Sequence, residues 1–186
     1  MCIMLAVFMG KVLKKKTAVA GDEVTYSLML RQMQKASAIQ HKGIASRHAY
    51  SMDGIDYYCG IRDEDIGILR QKYDVIILDI SFENTFDNTN VTFARMVSRL
   101  SACDEKILAG SMLPWKSREC EKKMERIERF LDIRGLKMVT LAVCDKEAVS
   151  IIKKHGVEVV LIPFERNPFV ISGENLRSFL ELLKIT

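Results

Sequence analysis

The chain has 186 residues, 48% of them hydrophobic, and its 28 Lys and Arg against 24 Asp and Glu leave a net charge of +4. That length and apolar content suit one domain, residues 1–186, with a substantial core. The longest apolar run, residues 2–9, falls well short of the ~20 residues a membrane-spanning helix needs, and interleaved bases and acids give no nucleic-acid footprint.

Lys11, Lys14, Lys15 and Lys16 follow the first apolar run instead of preceding it, the reverse of a signal peptide, so the cytoplasm is the expected compartment. Cys2, Cys59, Cys103, Cys120 and Cys144 form no Cys-x-x-Cys pair, and reduced, mostly buried thiols are expected rather than disulfides or a zinc site. His41, His48 and His155 lack ligand spacing and are expected at the surface. Lys14-Lys15-Lys16 reads as a solvated helix end, with contact to anionic lipid or DNA as the other reading.

In chain order, the pattern predicts a helix over residues 3–15, a short strand over 17–20 and a helix over 24–36 with Asp22 as its cap. Residues 37–47 read as a loop. Residues 48–59 hold an Asp53-Gly54 turn between two β-prone pieces, a hairpin signal. A helix over 63–72 leads to the apolar strand 73–80, followed by the polar stretch 81–90. Then come a helix over 91–102, a strand over 106–112, and a long helix from Pro114 to about Ile133, closed by Gly135. In that helix Cys120, Met124, Ile127 and Leu131 share one face, and Trp115 anchors its start. A strand over 137–143, a helix over 146–155 ended by Gly156, a strand over 157–163 and a helix over 174–184 complete the series.

Strand-length apolar runs alternating with helical periodicity predict an α/β fold, a mostly parallel sheet with helices on both faces. Ligands of such sheets bind beyond the carboxyl ends of the strands. Those ends carry Asp79 with the 81–90 loop, residues 111–115, Cys144-Asp145 and residues 163–168. Asp79 admits two readings, a magnesium-supporting acid or a structural strand-end residue. Cys144-Asp145 would suggest nucleophilic chemistry only beside a histidine, and no partner can be placed.

The strand Tyr73 to Asp79, the segment Gly110-Ser111-Met112-Leu113-Pro114-Trp115-Lys116 and the run Leu161-Ile162-Pro163-Phe164-Glu165-Arg166-Asn167-Pro168-Phe169 together resemble the P-loop ATPases of the MinD/ParA type over almost the whole chain. The resemblance implies a P-loop NTPase-like three-layer sandwich. In that family a first strand and a Lys-Gly-Gly-x-Gly-Lys-Thr type loop precede a helix resembling Ile3 to Lys15, and these 186 residues hold no such loop. By resemblance, Asp79 matches the acid that supports Mg²⁺ through water, and Asp22 falls near the family's second acid. Pro163, Phe164 and Glu165 match the loop that packs against adenine. Where the family often has an Asn after the preceding strand, this chain has Cys144-Asp145.

ATP hydrolysis needs backbone amides and a lysine around the β- and γ-phosphates. The expectation is therefore a regulatory domain that has no catalytic residue, keeps at most relic sites for ATP and Mg²⁺, and works through a protein partner, a second copy among the candidates. Two alternatives stand beside it. One is an ATP-binding ATPase whose first strand and loop lie outside these residues. The other is a response-regulator receiver, which strand 73–80 resembles; against it stand the extra strand and long helix, Ile162 in place of a lysine before Pro163, and the lack of an acidic pair after a first strand.

Overall fold

The computed structural model describes residues 1–21, 37–39, 44, 48–80, 90–132, 136–141 and 146–185. The expected helix over 24–36, Asp22, His41, the 81–89 stretch, Gly135 and Cys144-Asp145 lie outside them, as does the Trp115 side chain. The fold is mixed α/β and forms two compact units, residues 1–88 with 168–171 and residues 89–167 with 172–186.

The amino-terminal unit is built on a five-stranded sheet. Its strands are β1 (Thr17–Gly21), β2 (Ser37–Ala38), β3 (His48–Met52), β4 (Ile55–Cys59) and β5 (Val75–Asp79), in the order β2-β3-β4-β1-β5. β1 runs parallel to both β4 and β5, and β3 runs antiparallel to β2 and β4. Its place between two parallel neighbours explains why all of Thr17–Gly21 is buried. The β3–β4 hairpin turns where the sequence predicts: Asp53 and Gly54 both take positive φ, 55° and 78°, the conformation a two-residue primed turn requires.

Helices cover both faces of this sheet. On one face Ala18 and Ala20 are small enough to leave room for the rings of Tyr58 and Tyr73, and Leu69 and Ile66 of α2 (Asp63–Lys72) close the same cluster. The Asp65 carboxylate accepts the Arg62 N–H at 2.9 Å and secures the start of α2. The other face lies under α1 (Cys2–Val7) and the π-helical turn Phe8–Val12 that prolongs it. A methyl group added at Gly10 would sit 2.9 Å from Ile55 Cγ1 and 3.8 Å from Thr17 Oγ1, so the glycine lets the turn lie directly on the sheet. The predicted helix over 3–15 is thus shorter and changes hydrogen-bond pitch midway, an irregularity that apolar spacing does not encode.

The second unit has a wholly parallel three-stranded sheet, β6 (Ile107–Ala109), β7 (Lys137–Leu141) and β8 (Glu158–Ile162), in that order. Its helices are α3 (Asn90–Ser101), α4 (Pro114–Glu128), α5 (Lys146–Lys154) and α6 (Gly173–Leu183). Cys120, Met124 and Ile127 of α4 are buried, as their common face predicts, whereas the helix ends at Glu128. Phe130 and Leu131 both donate their N–H groups to the Ile127 carbonyl, and Leu131 lies beyond the helix. Gly156, at φ 76°, ends α5 as expected.

Residues 37–38, read as loop, form an edge strand, while β6 is shorter than the predicted 106–112. Past β6 the chain stays on β7 through the Gly110 N–H to the Val139 carbonyl, 3.0 Å, and the Met112 N–H to Thr140 Oγ1, 3.2 Å. A methyl group at Gly110 would lie 2.6 Å from both Cys120 Sγ and Met138 Cε, and both side chains are buried. Gly110→Ala is therefore expected to destabilise the protein by about 1–3 kcal/mol. Gly67→Ala, on an exposed turn of α2 with nothing nearby, is expected to stabilise it by about 0.5–1 kcal/mol. Urea unfolding of the two variants checks this opposition of sign.

Candidate functional site

Asp79 closes β5 half-buried, in register with Gly21 at the end of β1. Pro163, Phe164 and Glu165 follow β8 in the other unit, and they differ sharply in exposure. Pro163 and Glu165 are half-buried, while Phe164 is 75% exposed, the most open of the large apolar side chains described. Met112, in the segment after β6, is fully buried, so that part of the rim serves packing.

The loop after β8 is tied down by a residue that sequence reasoning missed. Asn175, in the first turn of α6 and fully buried, donates from Nδ2 to Glu165 Oε2 at 3.4 Å. Its backbone N–H goes to Ser172 Oγ at 3.2 Å, the N-cap of the helix. Asn175 Oδ1 is buried with no hydrogen-bond partner among the described residues. Sequence offers Ser172 as an N-cap, but nothing local to Asn175 signals its contact with Glu165. Ser178 further fastens α6 to β8 by donating to the Leu161 carbonyl at 3.1 Å. The result is a loop that presents the Phe164 ring to solvent while the Glu165 carboxylate is held to α6.

Among the described residues no group of three or more His, Cys, Asp or Glu side chains gathers as a metal site. His48 stacks on Tyr50 and His155 Nδ1 lies 3.4 Å from Glu128 Oε2. Both are half-buried, against the expectation of surface histidines. Cys59 and Cys120 are buried, with burial raising the Cys120 thiol pKa, and Cys2 and Cys103 are half-buried; all four are free of disulfides. Lys14, Lys15 and Lys16 are exposed, with Lys16 Nζ 5.2 Å from the centre of the Tyr73 ring.

The chain is similar, over 99% of its length and 91% of the other, to a chain of the MinC:MinD cell division protein complex of Aquifex aeolicus, at a TM-score of 0.63 and 13% identity. The fold is that of MinD. A second solved structure, the MinD cell division protein of Aquifex aeolicus, aligns with all of this chain and 92% of its own at a TM-score of 0.60 and 11% identity. No protein-family model matches the sequence, and no curated protein matches it either. At these identities the MinD likeness is one of fold. No helix among the described residues is long and apolar enough to cross a membrane.

Proposed function

We propose that these 186 residues form a MinD-like regulatory domain of the cytoplasm that acts through protein contacts and not by hydrolysing ATP. One observation carries the reading. The strand-end acid Asp79 is present on the MinD-like fold, yet the 186 residues hold no Gly-x-x-x-x-Gly-Lys-Ser/Thr loop. A carboxylate with magnesium cannot replace the amides and lysine that neutralise the β- and γ-phosphates. The similarity to a chain solved within a MinC:MinD complex supports a role in protein contacts.

The second reading is an ATP-binding ATPase completed by a strand and phosphate loop outside these residues. The placement of Asp79 beside the end of β1 favours it, with Asp22, Pro163, Phe164 and Glu165 in their family roles. Calorimetric titration with ATP and Mg²⁺, on the wild type and on Asp79→Ala, separates the two. The regulatory reading expects no saturable heat in either protein. Micromolar binding that weakens in the variant overturns it and places a working site at the end of β5.

A further inference from the structure

The turn between β3 and β4 carries chemistry of its own. Asp53-Gly54 is the single Asp-Gly step in the sequence, and no Asn-Gly step occurs. The two residues sit outside the ladder, between the paired Met52 and Ile55, and both are exposed. Among the described residues the Gly54 N–H makes no hydrogen bond. Nothing lies within 4 Å of where a Cβ on Gly54 would stand. An unbonded main-chain nitrogen therefore follows an exposed carboxyl group directly, with open space around it.

We propose that Asp53-Gly54 is a site of spontaneous covalent modification, the isomerisation of aspartate to isoaspartate through a cyclic imide, and that Lys11 restrains it. The Gly54 nitrogen adds to Asp53 Cγ. A C–N bond forms, a C–O bond of the carboxyl group breaks, and the amide proton leaves with the departing oxygen as water. Water then reopens the five-membered imide at one of its two carbonyls. Opening at Cγ restores aspartate; opening at the former main-chain carbonyl leaves the chain running through Cβ and Cγ. Mass is unchanged overall, and neither a cofactor nor an oxidant is consumed.

The restraint comes from the π-helical turn. Lys11 Nζ lies 2.6 Å from Asp53 Oδ2, with the two side chains 39% and 41% exposed. Before it is attacked the carboxyl group must swing over the Gly54 nitrogen and give up its charge, and the ion pair opposes both steps. An ion pair this exposed is weak, so its loss is expected to speed the reaction by about two- to fivefold. The product matters to the fold because isoaspartate adds a main-chain atom to a two-residue turn. Met52 then no longer meets Ile55 in register, and Ile55, Tyr57 and Tyr58, all buried, lose the alignment that packs them. The site is independent of whether the fold binds nucleotide.

The test is to age the full chain at physiological pH and temperature and to follow isoaspartate at each aspartate by peptide mapping with electron-transfer fragmentation. Wild type, Lys11→Met and Asp53→Glu are compared, with circular dichroism as the check on folding. The expected results are isoaspartate at position 53 above every other aspartate in the wild type, and faster accumulation there in Lys11→Met by the factor given above. Asp53→Glu, whose longer side chain cannot close a five-membered imide, is expected to show no isomerised product at that position. A wild type with no more isoaspartate at position 53 than elsewhere overturns the site. Equal rates in the wild type and Lys11→Met overturn the restraint. If Lys11→Met fails to fold, the wild type aged at about 1 M salt, where the Debye length falls to ~3 Å, decides: a faster reaction upholds the restraint and an unchanged one overturns it.

Discussion

Above pH 10 the amino-terminal unit is expected to lose stability steeply, because three of its phenols are buried and held neutral. Tyr57 and Tyr58 are 1% exposed and Tyr73 is 8% exposed. Burial is the main cause that raises each pKa above its ordinary value of 10.0; the charge of Asp53 adds to it at Tyr57. At Tyr73 the hydrogen bonds to Asp56 and Tyr58 push further in the same direction, while at Tyr58 the bond to Tyr73 opposes burial. The unfolded chain releases these protons from about pH 10 upward while the folded chain keeps them. The folded state therefore binds more protons, and stability must fall as pH rises, by about 1.4 kcal/mol per pH unit for each phenol in that window. Below pH 10 both states are protonated and these groups contribute no pH dependence.

Two variants separate the phenols. The Tyr57 hydroxyl is buried with no hydrogen-bond partner among the described residues, so Tyr57→Phe is expected to leave neutral-pH stability unchanged or raise it, and to flatten the alkaline slope by one phenol's share. Tyr73 is different. Its hydroxyl donates to Asp56 Oδ2 at 2.5 Å and lies 2.6 Å from the Tyr58 hydroxyl. Tyr73→Phe strips a partner from two groups, one of them buried, and is expected to cost about 1–3 kcal/mol at neutral pH. Urea unfolding from about pH 8 to about pH 11 reads all three proteins. A wild-type slope that stays flat through this range would contradict the burial of these side chains.

How much of this could be read beforehand depends on how local the cause is. β1, β5, β7 and β8 are legible because strands buried on both faces are continuous apolar runs, and the β3–β4 turn because Asp-Gly accepts positive φ at both positions. Pairing is not local. That β1 lies between β4 and β5, and that β5 and β6 belong to different sheets, depends on contacts between residues far apart in the chain, which periodicity does not carry. β2 was invisible because a two-residue edge strand leaves no pattern at all. In the candidate site Asp79 stands out as an acid ending an apolar strand. Asn175 does not, because its role comes from reaching Glu165 ten residues earlier, across the loop after β8. The Tyr73–Asp56 bond is hidden for the same reason: it joins a strand to the loop after α2, seventeen residues on.

Phe8→Ala is expected to cost about 3–5 kcal/mol, the range for truncating a fully enclosed aromatic side chain, and that is a large share of the total stability of an ordinary domain. Residues 2–9 contain no polar side chain apart from the Cys2 thiol, and every residue from Ile3 to Phe8 is buried, Ala6 and Phe8 completely. A helix lying on a surface would show an apolar stripe with a polar back; one apolar all round belongs inside. The first helix therefore acts as a wall of the core, pressed onto Thr17 and Ile55 where Gly10 permits the approach. Val12, at the far end of the π-helical turn and 43% exposed, supplies the contrast: Val12→Ala is expected to change stability by no more than about 0.5 kcal/mol. Chemical denaturation of the two variants measures the difference. A small loss for Phe8→Ala, comparable to that for Val12→Ala, would mean that the helix peels from the sheet in solution and that residues 13–80 hold the unit together without it.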